Sequence, residues 1–186
     1  MFRKFVLLIA FILSTFYGFA LAGEKAGSLN LGRNIAQGEG SAYWNNGFTF
    51  GGNVFGHKNP HVFYGLRMAY SHRRHNLLPG SIGIFELVPS VRIISTSQSF
   101  LNIFGHFGLG YHRSEFGAGQ SSSSGYWNLS DTRNTLGLSV GGGVLIGRSN
   151  KVRLEIFPLL SLLVDNDQIF NNYYTINIGF FLMDNK

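Results

Sequence analysis

Residues 135–146 read T-L-G-L-S-V-G-G-G-V-L-I, and their side chains alternate in character from one position to the next. The even-numbered positions are apolar apart from one glycine, whereas the odd-numbered positions are mostly glycine and serine. Successive side chains of a β-strand point to opposite faces, so this strand has one apolar face and one face of small residues. A strand face that meets water normally carries polar or charged side chains. The pattern therefore favours an apolar face against lipid and a small-residue face against a narrow interior.

The same period of two recurs along the chain and predicts eight strands in all. The other seven are residues 28–35, 47–56, 62–70, 82–94, 101–111, 152–164 and 174–182. Connections after the odd-numbered strands are long and polar, and those after strands two, four and six are short. This alternation is typical of barrels with long loops outside and short turns on the periplasmic side. The predicted fold is all-β, an eight-stranded antiparallel up-and-down transmembrane β-barrel. A bulge or irregular pairing is expected at Pro89, which lacks a ladder donor.

Composition limits the class of protein. Of the 186 residues, only 13% are charged, while 25 are glycine and 18 are phenylalanine, which suits glycine-rich and aromatic-rich β-structure in one domain. The absence of cysteine excludes disulfides, thiolate metal sites and thiol nucleophiles. The formal net charge of +6 is scattered along the chain, and no basic tract indicates nucleic-acid binding.

The N-terminus has the pattern of an export signal. Arg3 and Lys4 precede an apolar segment at residues 5–19, and residues 20–22 read A-L-A, a small-x-small cleavage site. The alternative is an uncleaved anchor, but the apolar run is shorter than the ~20 residues that a spanning helix needs. We expect a cleaved signal peptide at residues 1–22 and an outer-membrane β-barrel domain at residues 23–186.

Several segments together resemble the small eight-stranded outer-membrane β-barrel proteins of Gram-negative bacteria. They are the A-L-A leader, F-G-H-F-G-L-G-Y at residues 104–111, N-T-L-G-L-S-V-G-G-G-V at 134–144 and Y-T-I-N-I-G-F-F-L at 174–182. The resemblance implies the cell outer membrane as location, contact with outer-membrane lipid and lipopolysaccharide, insertion by the barrel-assembly machinery, and a monomer. The chain departs from the family pattern at its end, where Met183-Asp184-Asn185-Lys186 stands instead of a terminal aromatic residue.

Five charged residues share the interior parity of their strands: Arg67, Glu86, Arg92, Arg153 and Glu155. The first two lie at similar distances from the loop that joins their strands, so they are predicted to face each other across the hairpin. Lone buried charges are costly, so charges inside a small barrel must pair. A structural lumenal network is the favoured interpretation, and an ion or proton path is the alternative.

His112 and Ser114, followed by Glu115, resemble the His-x-Ser pair and downstream Glu of membrane-embedded lipid A deacylases. The pair has interior parity here, whereas those enzymes present it to lipid, and the Glu is adjacent in sequence. Three polar residues at a loop edge is the favoured interpretation. No histidine pair has helical ligand spacing, and no helix pattern follows Gly141-Gly142-Gly143 as a phosphate loop would require. No catalytic residue, metal or cofactor is expected.

Two sets of aromatic residues are candidates for contacts outside the barrel. Tyr70, Tyr111 and Tyr174 lie on the apolar parity beside long loops, where an interfacial aromatic girdle belongs. The predicted loops contain the loop contact candidates Tyr43, Trp44, Tyr126 and Trp127. Exposed aromatic pairs among small polar residues suit partner binding, and they suit the membrane interface equally well.

The pattern favours a small integral outer-membrane barrel with a structural or surface-interaction role and no catalysis. Its longest loop, at residues 113–134, is predicted to contact an extracellular partner or lipopolysaccharide, because loops on a rigid scaffold carry binding. The alternatives are a lateral conduit for small apolar molecules, a lipid A deacylase-like hydrolase, and a soluble periplasmic ligand-binding barrel. The last is disfavoured because solvent-facing strands usually carry more charge.

Overall fold

The structure is a computed structural model that describes residues 24–37, 40–76, 80–95, 100–118, 132–148, 151–164 and 172–184. The expected signal peptide at residues 1–22 and the candidates Tyr126 and Trp127 lie outside these residues. Among the residues described, no helix has the length and apolarity needed to cross a membrane.

The described chain forms eight β-strands and one short helix, α1, at Gly40–Tyr43. The strands are β1 Glu24–Gln37, β2 Gly47–Asn59, β3 Val62–Arg74, β4 Gly80–Ile94, β5 Leu101–Ala118, β6 Thr132–Ile146, β7 Val152–Val164 and β8 Asn172–Asp184. Each strand pairs antiparallel with the next, and β8 pairs with β1 to close the barrel. The predicted eight-stranded up-and-down barrel is confirmed.

The outer wall of the barrel is apolar. Every strand contributes at least one exposed large apolar side chain, which from β1 to β8 include Leu31, Phe50, Met68, Ile93, Ile103, Val140, Val152 and Ile178. The alternate positions point inward, as the period of two requires. Apolar surface on every strand is unfavourable in water and suits the hydrocarbon of a membrane.

Two groups of buried apolar side chains fill the ends of the lumen. The turn-side cluster, at the end with the short turns, consists of Ala26, Phe55, Phe63, Ile94, Phe104, Leu145, Phe157, Leu159 and Phe181. The loop-side cluster, at the other end, consists of Ala36, Trp44, Ile82, Ile84, Phe116, Leu163 and Tyr173. Buried polar and charged side chains occupy the lumen between them.

The small residues on the inner face of β6 make room for these large side chains. A Cβ added at Gly143 would lie 2.4 Å from the Cβ of Phe157, and one at Gly137 would lie 2.5 Å from Cε1 of His112. The glycines of residues 135–146 therefore allow bulky groups from the neighbouring strands to approach the wall of the barrel closely.

Two prolines interrupt the ladders without changing their register. The β4–β5 pairs stop at Leu87 and resume at Ser90, so neither Val88 nor Pro89 has a partner in that ladder. The β6–β7 pairs are likewise interrupted at Pro158. The irregular pairing predicted at Pro89 is confirmed, and the missing proline N–H accounts for both interruptions.

Several strands extend further toward the long connections than the sequence predicted. β5 continues to Ala118 and β6 begins at Thr132, so both ends of the predicted loop at residues 113–134 are in strands. Ser114 pairs with Arg133 and Glu115 with Thr132. The prediction ended the strand where its outer face turned polar, but backbone pairing does not depend on an apolar outer face. The loop prediction was wrong at both ends for this reason.

Candidate functional site

Glu86 joins side chains from opposite walls of the lumen. Its Oε2 accepts a hydrogen bond from Arg67 Nε at 3.3 Å, and its Oε1 accepts one from the Tyr173 hydroxyl at 2.8 Å. Arg67 is on the neighbouring strand β3, whereas Tyr173 reaches from β8 across the barrel. In register, Arg67 is opposite Val88, so the Arg67–Glu86 pair is diagonal. The two donors replace the water that the fully buried carboxylate has lost.

Glu155 forms the centre of a second connection. Its Oε2 accepts a hydrogen bond from Arg92 Nη1 at 2.7 Å, and its Oε1 accepts one from Asn30 Nδ2 at 3.5 Å. Arg92 lies on β4 and Glu155 on β7, on opposite sides of the barrel. The structure therefore contains two cross-lumen ties, one centred on Glu86 and one on Glu155.

Four phenylalanine rings surround the guanidinium of Arg92. Its Cζ lies 4.3–5.4 Å from the centroids of Phe55, Phe104, Phe157 and Phe181. These rings belong to the turn-side cluster, and a cation in this position is attracted by their negative faces. Glu155 and the rings thus hold one buried cation at the boundary between the polar layer and the apolar end of the lumen.

All five charged residues predicted to line the lumen point inward. The structure brings Arg67 to Glu86 and Arg92 to Glu155, while Arg153 Nη1 donates instead to Asn102 Oδ1. The arrangement links the walls and fills the interior with side chains. It is the geometry of a structural network, and the part that these residues play in function stays a prediction.

The Arg67–Glu86 pair gives a testable expectation for stability. Replacing either residue alone, by Arg67→Met or Glu86→Leu, should destabilise the barrel by about 3–5 kcal/mol, because each change leaves an uncompensated buried charge. The double variant should lose less than the sum of the two single variants. Urea unfolding in detergent micelles, followed by gel mobility, measures all four proteins. Additive losses would show that the two side chains do not interact.

His112, Ser114 and Glu115 do not assemble into a hydrolytic site. His112 and Ser114 are buried in the lumen, whereas the side chain of Glu115 is 60% exposed on the outer face and pairs with Arg113 at 2.8 Å. A base, a nucleophile and a carboxylate must share one face to act together. This geometry does not favour the deacylase alternative. Among the described residues, no group of three or more histidine, aspartate or glutamate side chains is placed to hold a metal.

Tyr70, Tyr111 and Tyr174 lie on the outer face and are all exposed. Tyr111 also donates a hydrogen bond to Asn134 Oδ1 at 2.5 Å. An aromatic body against apolar wall and a hydroxyl near polar groups suits the edge of a membrane. Their role as an interfacial girdle remains a prediction.

Trp44 is buried, which corrects the expectation of an exposed aromatic pair. Tyr43 is exposed, but the Trp44 ring packs in the loop-side cluster, 6.2 Å from Phe116 and 5.2 Å from His75. The backbone anchors this segment, because Asn76 N donates to Tyr43 O at 2.8 Å. In the sequence, Trp44 stands among glycine and polar residues and so resembles an exposed contact residue. In the structure its ring covers the mouth of the barrel, where it buries more apolar area than it would in an exposed loop.

Sequence reasoning missed Tyr173 as a member of the network. The last strand was predicted to begin at residue 174, two positions after its observed start at Asn172, and so Tyr173 was left outside the predicted strand. In the structure, Tyr173 has the same inward parity as Thr175 and Asn177, and all three are buried. Extending the alternation back by two residues would have placed the hydroxyl inside.

A closed eight-stranded barrel with an apolar outer wall and a filled lumen defines the class of small transmembrane barrels of the outer-membrane type. Several solved structures of this class are similar in fold to this chain. Neisserial surface protein A matches with a TM-score of 0.64 and 15% identity, over 87% of this chain and 97% of that chain. OprG, an outer membrane protein from Pseudomonas aeruginosa, matches with a TM-score of 0.59 and 11% identity, over 89% and 98%.

Ail, the attachment invasion locus protein of Yersinia pestis, matches with a TM-score of 0.53 and 15% identity, over 88% of this chain and 100% of that chain. No protein-family model matches the sequence, and no curated protein matches it. At such low identity the likeness shows the fold.

Proposed function

We propose that this chain is an integral outer-membrane barrel with a structural or surface-interaction role and no catalysis. The long connections face outward from the cell, and the short turns face the periplasm. Two of the similar structures are named a surface protein and an attachment invasion locus protein. Those names are consistent with a function at the outer ends of the strands.

The observation that carries this proposal is the filled lumen. Arg67, Arg92, Tyr173 and Phe157 are among its largest fully buried side chains, and the two cross-lumen ties connect opposite walls. A small molecule that entered from the loop side would have to displace the loop-side cluster and break buried hydrogen bonds before it could leave sideways through the wall. The lateral conduit alternative is therefore not favoured. An interaction with a partner would use the outer surface of the barrel.

Limited proteolysis of intact cells tests the proposed orientation. Chymotrypsin cuts after aromatic residues, so it should cleave the β5–β6 connection at Tyr126 and Trp127 without entering the cell. A Tyr126→Ser/Trp127→Ser variant is the matched control and should lose that cut while keeping the gel mobility of a folded barrel. Wild-type protein that is cut only after the outer membrane is opened would contradict the orientation.

A further inference from the structure

Three nitrogen-bearing side chains gather around one ring where the two cross-lumen ties approach each other. Arg67 Cζ lies 6.0 Å and Arg92 Cζ 5.4 Å from the centroid of the Phe157 ring. The ring centroid of His106 lies 6.5 Å from the same point. Register places His106 directly opposite Arg92 on the neighbouring strand, with Gly141 on its other side. We call Arg67, Arg92 and His106 the lumenal donor cluster.

The lumenal donor cluster has more hydrogen-bond donors than its ion pairs use. Its three side chains are buried, with 3% exposure at most. Arg67 bonds to Glu86 through Nε alone, and Arg92 bonds to Glu155 through Nη1 alone. In the described part of the chain, the remaining guanidinium nitrogens, Nη1 and Nη2 of Arg67 and Nε and Nη2 of Arg92, have no hydrogen-bond partner, nor has either ring nitrogen of His106. Buried charged donors without an acceptor are costly, so the cluster favours a bound acceptor.

The charges of the cluster favour an anion over a neutral acceptor. The two guanidiniums are near enough to repel each other, and both act electrostatically on His106. Repulsion between like charges is strong where water is excluded. A negative charge among these groups offsets the repulsion, whereas a water molecule leaves it in place.

The buried charges indicate how much negative charge the lumen can take. Among the described residues, the buried acidic and arginine side chains are two glutamates and four arginines: Glu86, Glu155, Arg67, Arg73, Arg92 and Arg153. Arg153 is the second residue of β7, next to the turn-side end. Arg73 packs over the Tyr173 ring at 4.9 Å and shares the field of Glu86 with Arg67. Three deeper arginines thus share two carboxylates, and one monovalent anion balances them.

We propose that the lumenal donor cluster binds one small monovalent anion of the halide class. The remaining N–H groups of Arg67 on β3 and Arg92 on β4 donate to it, and the neutral imidazole of His106 on β5 donates one more. Sulfate and phosphate carry more charge than the excess, and the surrounding buried side chains favour a small ion. The apolar clusters at both ends close the lumen, so the ion enters during folding and exchanges slowly afterwards.

Bromide tests the site directly, because it substitutes for chloride and is located by its anomalous X-ray scattering. The barrel is refolded into detergent micelles in sodium bromide and crystallised in the same salt. One anomalous peak is expected among the donor atoms of Arg67, Arg92 and His106. Crystals of protein refolded and grown in sodium gluconate are the control. Density at this position without an anomalous signal in the bromide crystals would identify a water molecule and overturn the inference.

Chloride should also stabilise the folded barrel through this site. Raising its concentration about tenfold above the dissociation constant should lower the unfolding equilibrium constant by about the same factor. Urea unfolding in sodium chloride and in sodium gluconate of equal concentration measures the effect, because gluconate is too large for the cluster. Equal urea midpoints in the two salts would contradict the proposal.

Two charge-neutral double variants separate hydrogen-bond donation from charge balance. Arg67→Met/Glu86→Leu removes donors of the cluster and leaves the excess of positive charge unchanged, so it should lose most of the chloride response. Arg113→Met/Glu115→Leu removes an exposed ion pair from the outer face and should keep that response. The same chloride response in both variants would mean that the cluster does not bind the ion.

His106→Phe provides a second test that leaves both buried ion pairs in place. It keeps a planar ring but loses one neutral hydrogen bond, so chloride should bind about fivefold more weakly. Unchanged chloride affinity in this variant would overturn the three-sided site. All of these measurements use the purified, folded barrel, so they do not depend on the orientation that proteolysis of intact cells tests.

Discussion

Replacing Glu155 by Leu is expected to destabilise the folded barrel by about 3–5 kcal/mol, the cost of leaving one member of a buried ion pair without its partner. Arg92 would keep its place among four phenylalanine rings but would lose the carboxylate 2.7 Å from Nη1. The rings attract a cation but contribute too little to offset its lost hydration. Urea unfolding in detergent micelles, with gel mobility as readout, measures the change.

Two control proteins make the Glu155 result specific. Glu115→Leu removes a carboxylate from the exposed pair with Arg113 and should change stability by less than about 1 kcal/mol. The Arg92→Leu/Glu155→Leu variant replaces both charges by apolar side chains beside the turn-side cluster and should regain much of the loss. If Glu155→Leu unfolds at the same urea concentration as Glu115→Leu, the cross-lumen tie does not stabilise the barrel.

Replacing Gly143 by Ala is expected to destabilise the barrel by about 3 kcal/mol, at the upper end of the range for overpacked sites. The added Cβ would lie 2.2 Å from Ile156 O and 2.4 Å from Phe157 Cβ. Backbone atoms of a closed barrel cannot move away without disturbing the next strand. The fraction that folds into micelles and the urea midpoint should both fall.

Gly105→Ala is the matched control for Gly143→Ala. It makes the same chemical change in a neighbouring strand, at a position where nothing lies within 4 Å of the new Cβ. Alanine there restricts the unfolded chain, so stability should stay the same or rise by about 0.5 kcal/mol. Equal effects at both positions would mean that loss of glycine, and not contact with Phe157, controls the outcome.

The period of two in the sequence was sufficient to predict the barrel and the two faces of its wall. In residues 135–146 it placed Val140 outside and Ser139 inside, as the structure has them. This success has a physical cause, since lipid requires apolar side chains on one face of every strand. Strand ends were predicted less well. Beyond the membrane the outer face no longer has to be apolar, but the backbone continues to pair, as at Glu115 and Thr132.

Contacts across the lumen could not be predicted in the same way. Arg67 and Glu86 lie on adjacent strands, so parity and distance from one loop were enough to relate them. Arg92 and Glu155 are 63 positions apart on opposite walls. The sequence around each residue does not indicate which strands face each other across the closed barrel. Trp44 shows a similar limit. Its burial depends on the room left at the barrel mouth by side chains from several strands.

The sequence separation of the two ties determines when each can form during folding. The Tyr173–Glu86 bond joins residues 87 positions apart, and the Asn30–Glu155 bond joins residues 125 apart. Both bonds cross the lumen, so we expect them to form late, once the sheet has curled enough to bring opposite walls together. Interactions absent from the folding transition state mainly slow unfolding. We therefore expect the polar centre of this lumen to do little to guide assembly. Its main effect is to slow unfolding and so prolong the lifetime of the assembled barrel.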